Sequence, residues 1–127
     1  MSTNIRPGLV IFTGNHKRLA QFYESVAGIP IVFSDDSFTV LASETFELVL
    51  HSVSGEWHVS DPPRAREDSC LKPFFPVRKL SEAREKAATF GGQLRPKNDE
   101  WTARGFRACE AIDPDGNVIQ FREDEHP

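Results

Sequence analysis

Apolar and polar residues change their spacing along the chain in a way that names the elements. Residues 8–13 hold Leu9, Val10, Ile11 and Phe12 in one run, which reads as a strand. Leu19, Phe22, Tyr23, Val26 and Ala27 then fall at i, i+3, i+4, i+7 and i+8, and that period predicts a helix. Asn15 is placed to cap its start, and Gly28 followed by Pro30 to stop it. Three short strands are expected over 29–34, 37–42 and 45–53, parted by the turn-forming pairs Asp35-Asp36 and Ser43-Glu44. The order then repeats. Residues 71–77 read as a strand made irregular by Pro73 and Pro76. A helix follows with Leu80, Ala83, Ala87 and Phe90 on one face, ending at Gly91-Gly92. Strands are expected over 93–95, 106–112 and 118–122, the last two joined by the turn Asp113-Pro114-Asp115-Gly116-Asn117.

The pattern is therefore two βαβββ modules, about 8–53 and about 71–122, with a polar linker over 54–69. Each module is too small to cover both faces of its strands, so the two must pack together as one α+β domain. The helices cover one face, and the other is left to line a cleft. Small molecules bind in such clefts.

Composition removes several function classes. With 39% hydrophobic and 27% charged residues the chain of 127 is neither disordered nor membrane-like. No stretch approaches the ~20 apolar residues that cross a bilayer. Met1-Ser2-Thr3-Asn4 lacks a basic region leading into an apolar run, so a cytoplasmic location is expected. Cys70 and Cys109 lie far apart and read as two reduced thiols. The net charge of −4 argues against a nucleic-acid partner. Arg64 and Arg66, interleaved with Asp61, Glu67 and Asp68, read as a solvated loop, and Glu123-Asp124-Glu125 as a solubilising tail.

Three segments together carry a family resemblance. The first is Ile11-Phe12-Thr13-Gly14-Asn15 with Leu19-Ala20-Gln21-Phe22-Tyr23 and Val26-Ala27-Gly28. The second is Asp113-Pro114-Asp115-Gly116-Asn117-Val118-Ile119-Gln120-Phe121, and the third the preceding Trp101 and Gly105-Phe106-Arg107. In order and spacing they resemble the vicinal oxygen chelate superfamily of glyoxalases, bleomycin-resistance proteins and dioxygenases. The resemblance implies a curved mixed sheet with a U-shaped cleft, helices on its outer face, and a homodimer. It also implies four metal-ligand positions, which fall here on Gly8, Glu47, Lys72 and Gln120. Only Glu47 is an ordinary ligand for a divalent ion, since metals of this kind take histidine and carboxylate donors. His51, four residues further on, shares a strand face with Glu47 but lies roughly 13 Å along it. No metal and no other cofactor are expected, and Lys72 is expected to pair with Glu47, with Gln120 beside them.

Alternation from those four positions assigns the faces. Val10, Phe12, Val49, His51, Phe74, Val118 and Arg122 are expected in the cleft, and Leu9, Ile11, Leu48, Leu50, Phe75, Ile119 and Phe121 against the helices. Trp57 and Trp101, in loops beside the cleft, offer flat surfaces for stacking. In bleomycin-resistance proteins such aromatics grip a flat cationic drug, and by similarity either tryptophan could do so. His16 is expected on an exposed helix start, and His58 and His126 in a loop and the tail.

Two functions fit these residues. One is metal-independent binding of a small, partly apolar or aromatic molecule, such as an antibiotic or toxin. It uses Phe12, Glu47, Val49, His51, Trp57, Lys72, Phe74, Trp101, Gln120 and Arg122. The other is an enzyme of the superfamily, a lyase, isomerase or dioxygenase, with Glu47 or His51 as a metal-free base or, less simply, with a metal.

Overall fold

The computed structural model describes residues 5–54 and 62–126. Strand β1 (Gly8–Thr13) leads into helix α1 (His16–Ala27), which buries Leu19, Phe22, Tyr23 and Val26. Asn15 starts the helix by accepting the Arg18 amide on its side-chain oxygen at 3.1 Å, satisfying one donor that a helix start leaves open. Gly28 ends it at φ 69°, a left-handed conformation costing other residues about 1–2 kcal/mol. Strands β2 (Ile31–Ser34), β3 (Phe38–Ala42) and β4 (Glu47–Ser52) complete the first module. Its sheet runs β1-β4-β3-β2, with β1 parallel to β4.

The second module contains β5 (Phe74–Val77), α2 (Leu80–Thr89), β6 (Gln93–Leu94), β7 (Trp101–Ala103), β8 (Phe106–Ile112) and β9 (Val118–Asp124). Its sheet runs β5-β9-β8-β6, with β7 also on β8 and β5 parallel to β9. The repeated topology and the α+β class agree with the sequence reading. The module nevertheless has one strand more than expected. Arg104 and Gly105, at φ 45° and 86°, make a tight turn that folds Trp101–Ala103 back along β8. Positive φ at both central residues matches the twist of paired strands, so Trp101 stands in a strand and not in a loop.

Both modules share one apolar core. Leu48, Leu50, Ile119 and Phe121 expose nothing and Phe75 almost nothing, while Leu9 and Ile11 pack partly buried against them. Each such side chain contributes roughly 1.5–3 kcal/mol when fully buried. Tyr23 of α1 meets Phe75 at 5.5 Å between ring centroids, and Phe22 meets Phe121 at 6.5 Å. Among the described residues no backbone ladder joins the two sheets, so side chains hold the modules together. One buried polar tie between them is Tyr23, whose hydroxyl donates to Asp113 Oδ2 at 2.7 Å.

Three polar residues behave otherwise than expected. His16 is buried, with Nδ1 2.8 Å from Thr39 Oγ1, because it shares the inward helix face with Leu19, Ala20 and Tyr23. The acidic end is not merely solubilising. Glu123 accepts the Leu80 amide at 2.7 Å and so caps α2, whose own N-cap, Lys79, offers no side-chain acceptor. Arg66 donates its amide to Gly116 O at 2.8 Å and its Nε to Asp115 O at 3.0 Å, so the end of the linker is anchored on the β8–β9 turn.

Glu100, whose side chain is 4% exposed, receives Arg84 at 2.5 Å and Arg107 at 2.7 Å. Burial raises its carboxyl pKa, but the hydrogen bonds from Arg107 and Arg84 outweigh burial and leave it lowered. A lowered carboxyl contributes stability above its unfolded pKa of 4.5 and loses it as pH falls through the folded value. Glu100→Gln should therefore flatten the acid side of a melting-temperature profile below about pH 4.5. An unchanged acid slope would show the pair to be energetically silent. No helix among the described residues is long and apolar enough to cross a membrane.

Candidate functional site

The faces turned away from the helices carry the candidate chemistry. On the first sheet the register sets Gly8 beside Glu47 and Ala42, Val10 beside Val49 and Val40, and Phe12 beside His51 and Phe38. His51 lies flat against Phe38 (centroids 6.1 Å apart, planes 6° apart) and 5.9 Å from Phe12. Its Nδ1 is 2.9 Å from Ser52 O. The face is apolar and open: Val10 and Phe12 are each half exposed.

On the second sheet the rows are Phe74–Gln120–Glu110 and Pro76–Arg122–Ala108–Trp101. Here a polar chain runs from the segment before β5 across β8 and β9. Lys72 Nζ pairs with Glu110 Oε2 at 2.7 Å. Gln120 Nε2 donates to Glu110 Oε1 at 2.8 Å, and Arg122 Nε donates to Gln120 Oε1 at 2.6 Å. The Arg122 guanidinium then lies between two rings, 3.6 Å from the centroid of Phe74 and 4.3 Å from that of Phe106. Trp101 meets Phe106 edge-on at 5.9 Å. The expected Lys72–Glu47 pair is absent: Lys72 turns to Glu110, a residue that the sequence reading passed over. Glu47 has no ion pair or side-chain hydrogen bond among the described residues.

Two cavities adjoin this face, and Leu71 and Lys72 line both. One, of about 680 Å³, is walled by the linker end at 65–67, by β6, and by Glu110 and Val118. The other, of about 760 Å³, lies between Gly8-Leu9 of β1 and residues 71–76. The expected cleft residues Val10, Phe12, Val49, His51, Phe74, Val118 and Arg122 do share the open faces. Trp57 and His58 lie outside the described residues. Arg107 faces the opposite way, toward Glu100.

The four ligand positions do not fit a divalent ion. Gly8 has no side chain, and a Cβ there would stand 2.3 Å from Glu47 O. Glu47 N bonds Pro7 O and pairs Gly8, and in the second module Gln120 N bonds Pro73 O and pairs Phe74. By register the residue facing Gln120 is thus Phe74, an apolar ring, with Lys72 two residues earlier. Gln120 spends its amide on Glu110, and Lys72 supplies a positive charge of its own. Among the described residues no three histidine, cysteine or acidic side chains gather as metal donors.

The sequence profile described as "Glyoxalase-like domain" matches residues 8–121. The chain belongs to the glyoxalase-like family. No curated protein matches it in sequence. Solved structures share the fold of this glyoxalase-like chain. A glyoxalase/bleomycin resistance protein/dioxygenase family enzyme from Burkholderia phytofirmans has a TM-score of 0.67 at 14% identity, over 92% of this chain and 96% of that one. The fosfomycin resistance protein FosX from Mesorhizobium loti has a TM-score of 0.65 at 14% identity, over 97% and 93%. An integron cassette protein from the mobile metagenome of V. cholerae reaches 0.63 at 21% identity, over 97% of each chain. The vicinal oxygen chelate resemblance read from the sequence is therefore correct in family and fold.

Proposed function

We propose that this glyoxalase-like chain binds a small, partly apolar or aromatic molecule intact on the open faces of its sheets, without a metal ion. One observation carries the reading. Of the four positions where metal-dependent relatives would place ligands, Gly8 has no side chain, and Lys72 and Gln120 are tied up with Glu110 and Arg122, which leaves Glu47 alone. Beside them stand Phe74 and Trp101, each at least two-fifths exposed. A mostly apolar surface with a few fixed polar groups suits a small organic ligand. Capture of that kind would serve resistance by sequestration. A homodimer accompanies this proposal, because Val10, Phe12, Val32 and Phe33 leave the first sheet with an apolar surface that a second copy would cover.

Native mass spectrometry of protein purified without chelator or added metal tests the reading. A metal-free dimer carrying extra small-molecule mass is the expected result. One stoichiometric divalent ion per chain would overturn it. The unpartnered Glu47 carboxylate favours one competing reading, a metal-free enzyme with Glu47 as base. Turnover of the bound molecule that Glu47→Ala abolishes, with binding retained, would put that reading first.

A further inference from the structure

Two guanidinium groups lie against one ring of the second sheet. Arg122 Cζ lies 4.3 Å and Arg104 Cζ 5.1 Å from the centroid of Phe106. Neither makes an ion pair among the described residues, although the chain as a whole carries a net charge of −4. The other arginines of this module, Arg78, Arg84, Arg95 and Arg107, all have carboxylate partners. By register Asp124 and Glu110 flank Arg122 on the same face, but Asp124 accepts the His126 amide and Glu110 pairs with Lys72. An anion arriving at this ring would meet two positive charges that no ion pair offsets.

Arg122 is also held in place. Its Nε is taken by Gln120, which is held by Glu110, which is held by Lys72, and its flat face is stacked on Phe74. Its two terminal nitrogens make no hydrogen bond among the described residues. A fixed guanidinium with two free NH2 groups is shaped for two oxygens of one acid group, and fixing it beforehand lowers the ordering cost of binding.

We propose that the ligand of this open face carries an oxyanion, of carboxylate, sulfonate or phosphonate type, beside an apolar body. Arg122 and Arg104 receive the oxyanion, and Trp101 and Phe74 receive the apolar body. The inference rests on the binding function proposed above and narrows its ligand class, away from the flat cation that the bleomycin-resistance resemblance suggests.

The test titrates the full chain with two fluorescent probes of similar shape, anionic anilinonaphthalene sulfonate and neutral phenylnaphthylamine. The proteins are the wild type, Arg122→Gln, Arg104→Gln and the double variant, each checked by thermal melting. The anionic probe should lose about tenfold or more in affinity with Arg122→Gln and more in the double variant, while the neutral probe binds all four alike. Arg122→Lys, which keeps the charge but not the fork, should retain part of the anion affinity, and with Arg104→Gln it carries the test if Arg122→Gln fails to fold. Both probes binding, with the anionic one indifferent to the substitutions, overturns this inference and leaves the binding function standing. Neither probe binding the wild type removes the binding function and this inference with it.

Discussion

Asp113→Ala is expected to lower the unfolding free energy by about 3–5 kcal/mol, a large share of the 5–15 kcal/mol typical of a domain. The carboxylate is fully buried and accepts four hydrogen bonds: from the Tyr23 hydroxyl at 2.7 Å, the Asn117 amide side chain at 2.8 Å, and the backbone amides of Asp115 and Asn117 at 2.9 Å each. Removing it strands those donors away from water and unties α1 from the β8–β9 turn. Tyr23→Phe removes only the link between modules and should cost about 1.5–3 kcal/mol. Urea unfolding followed by circular dichroism measures both. If Asp113→Ala cost no more than Tyr23→Phe, the turn would not depend on the carboxylate.

The same group gives a pH signature. Burial raises the Asp113 carboxyl to about 6 from 3.8, against the lowering effect of the bonds from Tyr23 and Asn117, and the nearby charge of Asp115 adds to the rise. A raised carboxyl binds its proton more tightly folded than unfolded, so its contribution to stability is largest below pH 4 and is lost as pH rises toward 6. The loss is on the order of 3 kcal/mol. Tyr23, whose own pKa is pushed up by burial and by Asp113, keeps its proton throughout. Glu100 pulls the other way below pH 4.5, so these two groups by themselves favour the narrow range between their windows, about pH 4 to 4.5. Asp113→Asn should remove the decline between pH 4 and 6, and a decline that persists in that variant would assign it to other groups.

What the sequence revealed follows from how far each signal reaches. Period-two alternation is local, so Leu48, Leu50, Ile119 and Phe121 separate cleanly from Val49, His51 and Arg122. The helix caps Asn15 and Gly28 are local as well. Partners chosen across strands are not. Lys72 selects Glu110, two strands away from its own segment, and nothing near either residue announces the pair. The turn did contain a usable clue: with Asp113–Asn117 closing β8 onto β9, Ile112 must face Val118 and Glu110 must face Gln120. His16 held a similar clue, since it precedes Leu19, Ala20 and Tyr23 at helical spacing. Strand β7 is only three residues long, too short for periodicity, and its signal was the Arg104-Gly105 turn. The anionic preference proposed for the open face needs the second and third dimensions, because it depends on which arginines lack a partner.

Gly116→Ala is expected to destabilise the chain by about 3 kcal/mol and to loosen the wall of the smaller cavity. Gly116 sits at φ 84°, where a side chain alone costs about 1–2 kcal/mol. A Cβ there would also stand 1.9 Å from Arg64 O. That neighbour is backbone and cannot swing aside, so the strap at 64–66 must lift. Lifting it breaks the bonds from the Arg66 amide to Gly116 O and from Arg66 Nε to Asp115 O, each worth about 0.5–1.5 kcal/mol. The consequence reaches the site, because Ala65, Arg66 and Glu67 wall the cavity of about 680 Å³ that Lys72 and Glu110 also line. Hydrogen exchange at the Arg66 amide reports the strap directly, and thermal melting reports the whole chain. Faster exchange at Arg66 together with a lower melting temperature is the expected pair of results. A Gly116→Ala variant with wild-type protection at Arg66 would mean that the strap does not rest on the turn, and that the cavity wall is held by something other than this glycine.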